Sequence, residues 1–236
     1  MRRFLLYQRH RFPGTLIQSV VFLYHRYALS LREVEEMMLI RGIEVSYETI
    51  RRRSLKFGSI YKKALRSYQP RAHDKWHLDE VCLKIQGQYY WLWRALDDQD
   101  REIDILLQPR RNAKAAKRFF CKLFGKEGFI PRVIITDKLA SYKAGLRKLG
   151  LSLDHRQHKS LNNRLEGSHQ HVRKQERVKR RFKQPVNCQK FLSLSLTLRT
   201  LLGRIGHKIG AFARRFYKKR AFNIWCQSTH TQDHFV

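Results

Sequence analysis

Two hydrophobic rhythms divide this chain. In its first quarter the apolar positions return every three or four residues: Leu16, Val20, Leu23 and Tyr27, then Leu31, Val34 and Met38. That is the spacing of one helical face. From Trp76 onward the rhythm changes to alternation in short β-branched and aromatic runs. It predicts strands over Trp76 to Ile85, Gln88 to Leu96 and Ile103 to Leu107, with Gly87 turning the first pair and Asp97 to Asp100 the second. A helical pattern over Asn112 to Lys126 follows, then a strand at Arg132 to Thr136, a helix at Lys138 to Leu149 and a fifth strand at Leu151 to Arg156. Three antiparallel strands followed by alternating helices and strands fit a mixed five-stranded α/β sheet covered on both faces.

The helical first quarter has its own punctuation. Helix one spans Thr15 to Tyr27. Ser30 with Glu33 three residues on is a capping box for helix two, which Gly42 ends. Ser46 caps helix three, expected to run through Ile50 and Leu55 to Phe57-Gly58. Two short helices about a Gly-containing turn, the second opening Ser-Tyr-Glu-Thr-Ile-Arg-Arg-Arg, predict a helix-turn-helix facing DNA with Tyr47, Arg51 and Arg52. An αα-hairpin with a solvated basic face has the same local pattern. The expected organisation is a DNA-binding region at 1–60, a polar linker at 61–75, the sheet domain at 76–183, and a helical region with a basic tail at 184–236. In that last region residues 186–202 are apolar enough to predict a buried helix bracing the sheet. Ile205, Ile209, Phe212 and Phe216 recur at helical spacing among basic residues, a candidate contact for a partner subunit or for DNA.

Charge narrows the class of partner. The chain has 236 residues, 50 Lys+Arg against 19 Asp+Glu, and a formal net charge of +31. The cations are spread along its length, which favours a polyanion, nucleic acid first. No apolar run approaches the ~18 residues of a membrane helix, and the opening residues lack the core of a signal peptide. A cytoplasmic, DNA-associated protein with no membrane partner is therefore expected. The 4 cysteines form no Cys-x-x-Cys pair, so neither a zinc ribbon nor a disulfide framework is indicated.

Three acidic residues remain as candidate chemistry. Asp79 shares a strand face with Val81, Leu83 and Ile85, while its neighbour Glu80 points the other way, with Lys84. Asp137 shares a face with Val133 and Ile135. Glu166 opens a basic helix. A carboxylate on an apolar strand face is costly unless paired, and divalent metal is one such partner. Caps, turns and helix-dipole partners are the common local roles of such residues, so spacing alone leaves both readings open.

The segments Trp76-His77-Leu78-Asp79-Glu80, Arg110 to Ala116, Thr136-Asp137-Lys138, His155-Arg156-Gln157-His158 and Asn162-Asn163-x-x-Glu166-x-x-His169 occur in this order. Together they resemble the prokaryotic DDE transposases, nearest to the cointegrate-forming insertion-sequence family six, over about Phe12 to Lys183. The resemblance implies a ribonuclease H-like fold. It implies that Asp79, Asp137 and Glu166 are both catalytic residues and metal ligands, for Mg2+ with Mn2+ as a substitute. It also implies that Arg173, about two helical turns past Glu166, holds a phosphate. The partners would be double-stranded DNA, both terminal repeats and target, and further copies of the chain. Two departures stand out: Asp137 and Glu166 are 166 − 137 = 29 positions apart, short for that family, and Ser168 stands where the family has an acid. The rival functions are a non-catalytic DNA-binding relic and a nuclease without strand transfer.

Overall fold

The computed structural model describes residues 6–137, 139–151, 153–157, 166–203 and 210–229, with all of their side chains except those of 166–168. Their element order is α1 Gly14–Arg26, α2 Leu31–Leu39, α3 Tyr47–Leu65, β1 Lys75–Ile85, β2 Gln88–Asp97, β3 Glu102–Gln108, α4 Ala113–Glu127, β4 Val133–Thr136, α5 Ala140–Arg147, β5 Asp154–Gln157, α6 Glu166–Val178, α7 Pro185–Leu202 and α8 Ala211–Thr229. They form two compact units, Met1–Gln69 with Lys190–Val236, and Pro70–Gln189.

The first unit is helical. Its core joins Ile17 and Val21 of α1, Val34 of α2, Ile50, Phe57, Tyr61 and Leu65 of α3, Leu194 and Leu198 of α7, and Trp225 of α8. Ser30 Oγ accepts from the Glu33 N–H at 3.1 Å while the Ser30 N–H donates to Glu33 at 2.5 Å, so the capping box forms as its sequence predicts. Helix α3 differs from expectation. Gly58 does not stop it, because Tyr61 and Leu65 continue the buried stripe of Ile50, Ser54 and Phe57 for two more turns. A glycine costs a helix only about 1 kcal/mol, less than a buried Tyr or Leu returns. The expected linker at 61–75 therefore begins as helix. The C-terminal segment also differs: from Lys190 the chain belongs to this helical unit, where a helix bracing the sheet was expected. Trp225 packs between Phe22, tilted at 54°, and Tyr61, edge-on at 85°, with ring centres 5.3 and 5.2 Å away, and the Thr229 carbonyl accepts from Tyr7 and Gln18 at 2.8 and 2.9 Å.

The second unit is a five-stranded sheet in the order β3-β2-β1-β4-β5. Strands β1, β2 and β3 are antiparallel neighbours, and β4 and β5 run parallel to β1. The β1–β2 hairpin turns on Gln86 and Gly87, both with positive φ (50° and 83°), as a tight right-twisted hairpin requires. One face carries Trp76, Leu78, Trp93 and Ala95 against Ala116, Phe119 and Phe120 of α4 and Tyr142 and Leu146 of α5. At Gly145 an added Cβ would lie 2.9 Å from that of Ala116, so α4 and α5 approach as closely as they do because no side chain intervenes. The opposite face takes His169 of α6. This strand order with helices on both faces is the ribonuclease H-like fold. Among the described residues no helix is long and apolar enough to cross a membrane.

Candidate active site

The parallel pairing of β1 with β4 brings the two aspartates together. The last paired residues are His77 and Ile135. Two positions further on, Asp79 lies within β1 and Asp137 just past the carboxyl end of β4, on adjacent parallel strands about 4.8 Å apart. In open α/β sheets that end is where ligands gather.

Asp79 is buried, and its partners come from across the sheet. Arg94, its direct cross-strand neighbour on β2, donates to both oxygens, Nε to Oδ1 at 3.1 Å and Nη2 to Oδ2 at 2.7 Å. The His169 ring contacts Oδ2 from α6. Burial by itself would push the Asp79 carboxyl up, but the Arg94 guanidinium and the His169 ring hold it below the ordinary carboxylate range. Asp79 is thus kept ionised in a dry site. Asp137 is more open, with its side chain 40% exposed. It accepts the Leu139 N–H at 3.1 Å and Arg111 Nη2 at 3.4 Å.

Arg111 ties Asp137 to the other face of the sheet. Its guanidinium lies 4.8 Å from the Trp91 ring centre and donates through Nε to Glu80 Oε1 at 2.6 Å. Glu80 does point away from Asp79, yet its side chain is only 1% exposed and also accepts the Tyr142 hydroxyl at 2.7 Å. Burial raises the Glu80 carboxyl above its ordinary value, the charge of Asp137 adds to this, and the Tyr142 and Arg111 hydrogen bonds oppose it. Arg94, Arg111, Tyr142 and Glu80 were missed as site residues. Strand pairing could have flagged Arg94, as a cation in an otherwise apolar run. The Tyr142 contact carries no local signal.

Glu166 is the first residue of α6, three positions before His169. The helix that carries Glu166 thus places His169 on Asp79, while the Glu166 side chain lies outside the described residues, as do Asn162 and Asn163. Arg173 lies further along α6, half-exposed and paired with Glu176 at 3.0 Å. In the helical unit, Tyr47, Arg51 and Arg52 open α3 and are all exposed. Arg51 and Arg52 both bind Glu48, at 2.7 and 3.1 Å, three and four positions before them on α3.

The donor set fits a divalent cation. Asp79 and Asp137 offer hard carboxylate oxygens, and a carboxylate has about four lone-pair sites, of which hydrogen bonds among the described residues take three on Asp79 and two on Asp137. His73, Asp97 and Asp98 also cluster, but Asp97 is spent on Arg101 and on backbone N–H groups.

A family model described as a DDE domain matches residues 73–202. The transposase for insertion sequence element IS257 in transposon Tn4003 of Staphylococcus aureus is 33% identical over 171 residues, 69% of this chain and 75% of that protein. The chain belongs to the DDE transposases of insertion-sequence family six. The transposase for the insertion sequence-like element IS431mec of S. aureus (strain Mu50 / ATCC 700699) is 32% identical over the same 69% and 75%. Among solved structures, the simian T-cell lymphotropic virus intasome in complex with PP2A regulatory subunit B56 gamma is similar at 14% identity and a TM-score of 0.44, covering 71% of this chain and 58% of that one. As a DDE transposase the chain is a polynucleotidyl transferase that acts on DNA, and the site on β1 and at the end of β4 lies within its DDE domain.

Proposed function

We propose that Asp79, Asp137 and Glu166 together hold divalent cations, magnesium in the cell, and that the site cuts the ends of its insertion sequence and joins them to target DNA, forming a cointegrate. The observation that supports this reading is the parallel register of β1 and β4, which ends two positions before Asp79 and Asp137, together with the Arg94 and His169 contacts that hold the Asp79 carboxyl below its ordinary range. Bound ions supply charge neutralisation at the phosphate and a more acidic attacking hydroxyl.

The chain's own residues do the rest by position. Arg94 fixes both Asp79 oxygens through a bidentate fork. His169 sits on the free flank of the same carboxylate, one helical turn from Glu166, and steers α6 toward the strands. Arg111 holds Asp137 against β1. Arg173 offers a guanidinium to the phosphate once Glu176 releases it. The cleaved end leaves as a 3′-hydroxyl, which then attacks a target phosphodiester in line, so no protein nucleophile is assigned. Residues 12–60 recognise the terminal repeats through α2 and α3, and more than one copy acts on the two paired ends.

The test is purified protein with magnesium and DNA carrying the element's ends. Asp79→Asn, Asp137→Asn and Glu166→Gln should each abolish cutting and joining while end binding persists. Asp137→Asn is the cleanest, because its carboxyl is the more exposed of the two whose side chains are described. Cutting and joining by all three variants would overturn this reading, and cutting without joining would favour a nuclease.

A further inference from the structure

Strand β4 pairs with β1 only as far as His77, and β1 runs on to Ile85. Beside that far half opens a groove of about 840 Å³, lined from the β1–β2 hairpin and from the end of α6 with the turn after it. Five of its cations, Lys84, Arg177, Arg180, Arg181 and Lys183, have no acidic partner among the described residues, and Glu176, the acid in the lining, is taken by Arg173. The dipole at a helix C-terminus favours one or two cations there. It does not account for Lys84, which comes from the hairpin.

The backbone adds a second observation. Arg180 and Arg181 both adopt left-handed φ, 48° and 68°, and close α6 by donating to the carbonyls of Arg177 and Glu176 at 3.0 and 2.9 Å. Glycine takes that conformation without strain, whereas two successive arginines do not. The turn thus accepts strain to set two guanidinium groups into a groove that is already positive. A third observation is Tyr89, 62% exposed at the mouth of the hairpin, with the Lys84 ammonium 5.5 Å from its ring centre. An exposed aromatic among cations is the pairing that holds an unpaired base over its backbone.

We propose that this groove binds the phosphodiester backbone of the DNA strand leading away from the reacting phosphate, with Tyr89 stacking on an unpaired base. The inference rests on the DNA-cutting reading above. Lys84 is five residues past Asp79, roughly 17 Å along the strand. Arg180 is eleven past His169, roughly 16 Å along the helix line. The groove therefore lies about equally far from Asp79 and His169 along the two elements, and Lys84 enters it from the strand face opposite to that of Asp79.

The test uses the full-length protein without added metal, so that nothing is cut. Binding to a forked duplex of unrelated sequence and to its fully paired counterpart is measured across a range of salt. Arg180→Gly with Arg181→Gly should lower the log–log salt slope by about 1.4–1.8 on both duplexes, one phosphate contact each. The melting temperature should hold or rise, since glycine relieves the turn. Tyr89→Ala should cost at least about fivefold on the fork and leave the paired duplex unchanged. An unchanged slope in a folded double variant overturns the groove, and equal losses on both duplexes overturn the stacking. The outcome is separable from the cutting reaction. A protein that binds this way but never cuts refutes the proposed chemistry, and one that cuts with unaltered slopes refutes the groove alone.

Discussion

Asp79 and Glu80 are adjacent carboxylates with opposite surroundings. The alternation of β1 sends one to Arg94 and His169 and the other to Tyr142 and Arg111. Asp79 titrates below its ordinary value of 3.8. Its folded form therefore favours the ionised state, and the stability this contributes is present above that value and lost as pH falls through the lower, folded one. Asp79→Asn should remove this part of the acid sensitivity. At neutral pH it should cost about 3–5 kcal/mol, because the buried Arg94 then loses the carboxylate that it holds with two hydrogen bonds. Adding Arg94→Met should recover part of that loss. Thermal unfolding at pH 7 and pH 3 checks both, and an Asp79→Asn protein as stable as the parent at pH 7 would show that the pair contributes nothing. Glu80→Gln is a less silent control than its face suggests, since Glu80 reaches Asp137 through Arg111.

At the scale of the element, α3 is the helix expected to meet DNA. Its first turn presents Tyr47, Arg51 and Arg52, but Glu48 draws both arginines toward itself. The Arg51 hydrogen bond is the main reason that the Glu48 carboxyl is pulled down to about 2, so Glu48 is ionised at neutral pH. Arg51→Ala with Arg52→Ala should weaken binding to the element's ends and lower the salt slope by about 1.8. Glu48→Gln should do the reverse, raising affinity by freeing two guanidinium groups. Salt titrations of the full chain on end DNA measure both changes. Ends bound equally well by all three proteins would place recognition elsewhere.

At the scale of the molecule, a net charge of +31 supplies attraction to any DNA, so placement must come from the units that carry it. The helical unit is closed by the chain's own C-terminal helix. Trp225 of α8 is 2% exposed, while Phe212 and Phe216 of the same helix are 79% and 57% exposed among basic residues. The exposed pair is the described part of the segment expected to meet a partner subunit; Ile205 and Ile209 lie outside the described residues. Light scattering should find more than one copy on paired ends, and Phe212→Glu with Phe216→Glu should reduce that number without lowering the melting temperature. A single copy on paired ends would refute the assembly.

Much of this was legible along the chain because it is local. The Ser30–Glu33 box, the turn at Gly87 and the opposite facing of Asp79 and Glu80 each depend on residues within a few positions, where sterics and periodicity decide. The reach of α3 was not, because whether Gly58 ends a helix depends on what Tyr61 and Leu65 bury against, and part of that is Trp225, 225 − 61 = 164 residues away. The partners of the acidic residues were equally out of reach. Arg94 meets Asp79 through hairpin register, His169 meets it from 90 positions on, and Tyr142 meets Glu80 from 62. Residue type and period, read along the chain, showed that Asp79 would be buried, but not that Glu80 would be buried too or that Asp137 would stay 40% exposed. Only closure of the sheet and docking of the helices decided which cations and hydroxyls would satisfy them, since a buried charge is held by whatever the tertiary contacts bring within hydrogen-bonding distance.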